Sequence, residues 1–132
     1  MQLEEPLLGW ILFVARLCLA AVFLVSGVHK ALYYSRARDE FHQASVPATE
    51  VLLPLTILLH VFASAGLISG MYSRESALLL AVFTIVATVK VHCFWRMAGA
   101  ERLDRSRIAF SNLAIVGGLL MLAATGPGRL VL

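Results

Sequence analysis

This 132-residue sequence has little of what a soluble protein needs. Charged residues make up 14% of it, against about 25% in soluble domains. No polar stretch is long enough to fold as a separate catalytic domain, and no residue is singled out as catalytic. There are two cysteines, Cys18 and Cys93, and no Cys-x-x-Cys pair, which argues against dithiol chemistry by this chain alone. Their expected depths differ by about 9 Å along the helix axes, too far for a disulfide, and both read as small apolar core residues. No three or four His, Cys, Asp or Glu residues are spaced as zinc ligands, so no metal site is assigned. A histidine pair on haem iron is disfavoured, because His60 and His92 fall at depths about 9 Å apart.

What the chain does have is apolar sequence. Hydrophobic residues are 60% of it and its mean hydropathy is +0.84. Four apolar runs, at about 7–28, 51–69, 74–95 and 105–125, are each long enough to cross a bilayer core of about 30 Å as a helix. The interiors of these runs contain no Asp or Glu. The fold class is therefore an all-α integral membrane bundle of four transmembrane helices, with residues 1–132 as one domain. The flank before the first run carries Glu4 and Glu5 and no Lys or Arg, so the run reads as a retained span and not a cleaved signal.

The net charge of +3 does not point to nucleic acid, because the basic residues sit between the spans. The first loop carries Lys30, Arg36 and Arg38. The third and its edges carry Lys90, Arg96, Arg102, Arg105 and Arg107. Arg74 and Arg129 are the basic residues of the middle loop and the termini. The positive-inside rule then places loops 29–50 and 96–107 in the cytoplasm and both termini outside. Trp10 and Tyr72 would mark one interface, and Tyr33, Tyr34, Phe94 and Trp95 the other.

Local signals set the ends. Ser73 is a candidate cap for the third helix, with Glu75 in its first turn. Gly126 and Pro127 stop the fourth. Pro47 fits the first turn of the second helix, and Pro54, deeper inside it, is expected to kink it or distort its first turns. The stretch 35–44 reads as a short interfacial helix with Phe41 inserted into the membrane. Small residues at Ala63, Gly66 and Gly70, and at Ala114, Gly117, Gly118 and Ala123, offer close helix contacts, either within the bundle or at a homodimer seam or a docking face for another subunit.

The polar residues inside the spans are the candidate site. Arg16 lies about nine residues into the first span, where insertion of a charge costs about 2.5–3.5 kcal/mol. It shares a helix face with Ala20, Phe23, Gly27 and Lys30. It is either a structural arginine bonded to backbone carbonyls or a contact for an anion, a headgroup or a quinone carbonyl. His60, in mid-span, is either a neutral bridge across the bundle or a ligand and proton-relay group. Asn112 reads as an interhelical bridge. Arg16, His60 and Asn112 together form the candidate interior pocket. Ser64, Thr84 and Thr88 are expected to return their hydroxyls to their own helices. His29, Lys30, Lys90 and His92 form a cationic set near one interface, suited either to a lipid headgroup or to simple charge topology.

These residues resemble the DoxX family of small four-helix membrane proteins over nearly the whole length. The first span runs from Arg16 through an apolar stretch to Ser26-Gly27-Val28-His29-Lys30, similar to the family's arginine, apolar run and Gly-x-x-Lys ending. Ser45-Val46-Pro47-Ala48 resembles its Gly-x-Pro start of helix two. Gly66 through Gly70, followed by Arg74, resembles its Gly-x-x-x-Gly-x-x-x-Arg, and Asn112 through Gly117-Gly118 to Gly126-Pro127-Gly128 resembles its last helix. One position departs: many members carry glutamate ten residues before Gly70, and here that residue is His60. The change leaves Arg16 without that carboxylate and favours a neutral network or an external anionic partner.

The resemblance implies membrane location and fold, and it suggests chemistry, since the family takes its name from a membrane subunit of a thiosulfate:quinone oxidoreductase. The leading expectation is an accessory subunit of a redox or quinone-linked complex, anchoring partner subunits in a bacterial inner membrane. It would have no intrinsic cofactor and would bind lipid and, as candidate ligand, a quinone. The alternatives are a purely structural subunit and a homo-oligomeric transporter of an anion.

Overall fold

The first helix, α1 (Glu5–Leu32), forms because nothing in 28 residues interrupts it and its termini suit the helix dipole. Pro6 occupies the first turn beside Glu5, and His29 and Lys30 close the last. Its buried residues are Gly9, Arg16, Ala20, Phe23 and Gly27, the face expected from the 3.6-residue period. The computed structural model describes residues 4–91 and 94–132. After a turn at Tyr33 comes α2 (Tyr34–Gln43), a short polar helix over the stretch read as helical, with only Ala37 buried.

α3 (Thr49–Ser69) begins after Ala48, so Pro47 lies before the helix and not in its first turn. The Thr49 hydroxyl donates to the Val46 carbonyl at 3.1 Å. The helix continues through Pro54, which has no N–H for the Glu50 carbonyl. It stops at Gly70, whose φ of +84° is left-handed and whose N–H bonds back to Gly66. α4 (Ser73–Val91) follows after a short turn. Ser73 is its first helical residue and not its cap, and its buried hydroxyl has no partner. A 3-10 turn, Phe94–Arg96, leads to α5 (Gly99–Thr125).

Three boundaries differ from the sequence expectation by about four residues or more: α1 runs on to Leu32, past the expected 28. α4 ends at Val91 and not at 95, and α5 starts at Gly99 and not near 105. Glu101, Arg102, Asp104 and Arg105 hide the extra turns from a hydropathy reading, yet all are compatible with a helix outside the lipid core. α1, α3 and α5 are long and apolar enough to cross a membrane. α4 is only 19 residues long, so every 18-residue window of it includes Arg74, Glu75 and Lys90. Those charges sit at its two ends, leaving about 21 Å of apolar helix between Ser76 and Val89.

α1 packs mainly on α3, α3 on α4, and α4 on α5, while α5 and α1 touch lightly. Close approach needs small residues. A Cβ at Gly27 would lie 2.9 Å from the His60 Cβ, and one at Gly66 would collide with the Ser76 hydroxyl. Ala20, Phe23, Ala63, Leu67, Ala77, Leu80, Ala81, Val116, Leu119 and Leu122 form the core. It fills the half of the bundle next to Gly70 and Gly126. Around the outside, Leu32, Phe62 and Met121 are each about 70% exposed, apolar surface that suits contact with lipid or with another apolar protein surface. Cys18 is also on this outer surface and not in the core. The protein is an integral membrane helical bundle.

Candidate ligand-binding cavity

The core does not fill the other half. Between α1, α3, α4 and α5, with α2 at its mouth, lies a cavity of about 480 Å³ with mostly apolar walls. His60 is brought to it by the middle of α3 and is 2% exposed. Its ring lies edge-on to Phe83 at 4.7 Å and at 66° to Phe23 at 5.4 Å. Both ring nitrogens are buried without a hydrogen-bond partner. Leaving a buried polar group unpaired costs about 1–3 kcal/mol, so this imidazole is suited to a ligand that accepts or donates a hydrogen bond.

Asn112 lines the same cavity from α5. Its amide donates to the Thr88 hydroxyl at 3.0 Å, and Thr88 in turn donates to the Thr84 carbonyl at 2.7 Å. Thr84 donates to the Leu80 carbonyl at 2.7 Å. The two threonines thus return to their own helix as expected. Ser64 does not: its hydroxyl is fully buried without a partner. At the mouth, Lys30 donates to the Ser26 hydroxyl at 2.6 Å, and Glu40 and Lys90 complete a charged rim.

Arg16 is elsewhere. The structure brings His60 and Asn112 together and leaves Arg16 out of their cavity. It is fully buried at the opposite end of the bundle, where its Nη2 donates to the Leu130 carbonyl. The Phe13 ring lies 5.2 Å from the guanidinium carbon. The segment 126–132 folds back over this end, and the Leu132 N–H donates to the Ser69 carbonyl at 2.7 Å.

The cationic set also divides. Lys30 and Lys90 share the cavity rim, and Lys30 also lines an adjoining hollow of about 380 Å³ with His29 and Arg36, where the His29 ring lies tilted at 4.7 Å from Tyr33. His92, like Cys93, lies outside the described residues. Sequence reasoning missed Glu40, Phe83 and Ser26. Phe83 and Ser26 look like ordinary span residues, and Glu40 looks like one charge among several on α2. Its neighbour Phe41, whose apolar ring stands out in a polar helix, was the available signal, and it lines the cavity too. Among the described residues, no three His, Cys, Asp or Glu side chains group as metal ligands.

The arrangement is that of a site for an amphiphile, with apolar walls, a buried hydrogen-bonding ring deep inside and charge at the mouth. The DoxX family model matches residues 11–93. The chain is 33% identical over 115 residues to the inner membrane protein YqjF of Escherichia coli, covering 87% of this chain and 83% of that one. It is 26% identical over 123 residues to the inner membrane protein YphA of the same organism, covering 92% of this chain and 87% of that one. No solved structure matches the chain.

Proposed function

The chain belongs to the DoxX family of membrane proteins, and from that premise we propose that it is an accessory subunit of a redox-linked complex in a bacterial inner membrane, holding a quinone-type amphiphile in the α1/α3/α4/α5 cavity. The observation that carries this reading is His60, buried beside an apolar cavity of about 480 Å³ with both ring nitrogens unpaired. A quinone carbonyl or quinol hydroxyl would satisfy the imidazole, the ring would meet Phe23 and Phe83, and an isoprenoid chain would leave along the apolar walls. The names of the two relatives support the membrane assigned. The proposed sidedness puts loops 29–50 and 96–107 in the cytoplasm, so the cavity opens toward that side.

An anion transporter would need a path past the core. Leu67, Leu80 and Leu119 are fully buried at levels between His60 and Arg16, so the two polar residues do not share a route. Arg16 makes a structural contact of its own, since its Nη2 bonds to the chain's own backbone.

The test is to purify the protein from its native membrane in mild detergent and identify bound molecules and proteins by mass spectrometry. Stoichiometric quinone with co-purifying redox subunits, and at least roughly a tenfold loss of quinone in His60→Phe, is the expected result, as for removal of one hydrogen bond in a buried site. A protein carrying phospholipid alone, in wild type and variant alike, would sink the quinone reading.

A further inference from the structure

Arg16 is the largest fully buried charged side chain, and its surroundings do not neutralise it. Nη2 donates to the Leu130 carbonyl, but Nε and Nη1 have no partner. Arg16 forms no ion pair among the described residues. A candidate counter-charge, Glu5 at the start of the same helix, pairs instead with Arg129 at 3.3 Å. The negative end of the α3 dipole falls at Gly70, against which the guanidinium packs closely enough that a Cβ there would collide with it. Just past the turn, however, α4 begins at Ser73 and presents its positive end.

A second buried group meets the same turn. Ser73 is 2% exposed and its hydroxyl has no partner. It opens α4, where the first backbone N–H groups have no intrahelical acceptor. Arg74 adds a guanidinium whose nitrogens would stand 3.0 Å from a Cβ at Gly126. With Glu75 of the first α4 turn counted against Arg74, the turn 70–72 has donors on both sides and one net positive charge, that of Arg16, roofed by the segment 126–132.

We infer that this end of the bundle binds a small, singly charged anion of halide size between Arg16 and Ser73. One fully buried cation calls for one negative charge. A neutral water would satisfy donors but leave the charge uncompensated in a low-dielectric setting. The guanidinium is crowded by Gly70, Leu130 and Phe13, and that crowding favours a compact ion over a bulky headgroup. This site is separate from the His60 cavity and does not depend on what the cavity holds.

The experiment uses the full chain in nanodiscs of neutral lipid, dialysed into gluconate and titrated with sodium bromide at constant ionic strength. The thermal midpoint is expected to climb with the logarithm of bromide concentration, since a ligand of the folded state stabilises it by mass action. Ser73→Ala, which keeps the arginine, is expected to need about tenfold more bromide for the same rise, as for loss of one hydrogen bond to a charged group. Arg16→Met is expected to lose the response. If Arg16→Met does not fold, Ser73→Ala decides. Equal midpoints in bromide and gluconate for the wild-type protein, or a Ser73→Ala response identical to wild type, would overturn the site.

Discussion

His60 has unpaired nitrogens next to open space, so its replacement by an apolar ring removes a cost. His60→Phe is expected to leave the fold as stable as wild type or more stable by about 1 kcal/mol, measured by unfolding in mixed micelles, while bound amphiphile is lost. A variant that unfolds instead would mean that the imidazole holds the bundle together. Arg16 is the opposite case, pinned between its own chain's tail and the α3–α4 turn. Gly70 permits this through its left-handed backbone and missing side chain. Gly70→Ala is expected to cost about 2 kcal/mol or more, combining about 1–2 kcal/mol of backbone strain with displacement of the guanidinium. An unchanged unfolding curve would show that the turn is more pliable than its geometry implies.

At the level of elements, α4 carries the most constraint for its length. Its charges lie at its ends, its threonines bond to its own carbonyls, and Thr88 ties it to Asn112 of α5. Thr88→Val keeps the shape and removes the link, so a loss of about 1 kcal/mol is expected. Adding Asn112→Leu to that variant should cost little more, because the shared hydrogen bond is already gone. Fully additive losses in the double-mutant cycle would show instead that the two residues act through separate partners. α2 is visible in sequence as a short polar stretch with one inserted aromatic. Its role as the rim of a cavity is not, because that depends on the turn at Tyr33 folding it back beside α3. The early start of α5 is hidden for a related reason. Hydropathy marks where a helix enters lipid, while hydrogen bonding continues the helix beyond that point.

At the level of the whole molecule, packing is uneven. One half is filled by leucines, alanines and Phe23, and the other encloses the cavity. The proposed orientation, with the cavity end cytoplasmic, makes a direct prediction in a background where Cys18 and Cys93 are both replaced by serine. Cysteines introduced at Arg38 and Arg102 should be shielded from an impermeant thiol reagent in intact cells, and cysteines introduced at Tyr72 and Arg129 should react. The reverse pattern would invert the topology while leaving the fold intact.

The all-helical membrane class follows from composition alone. Lipid offers the backbone no hydrogen bonds, so long apolar runs must satisfy themselves as helices. Helical period alone likewise gathers Arg16, Ala20, Phe23 and Gly27 on one face, and that face is the buried one. Period assigns residues to a face within one helix. It does not say which face of the next helix it meets, or where a segment after the last span returns. Those choices, made by close approach at Gly27 and Gly66 and by the fold-back of 126–132, separate Arg16 from His60 and set Glu40 beside Lys30. They are decided by packing between helices, which lies beyond the reach of any single helix's sequence.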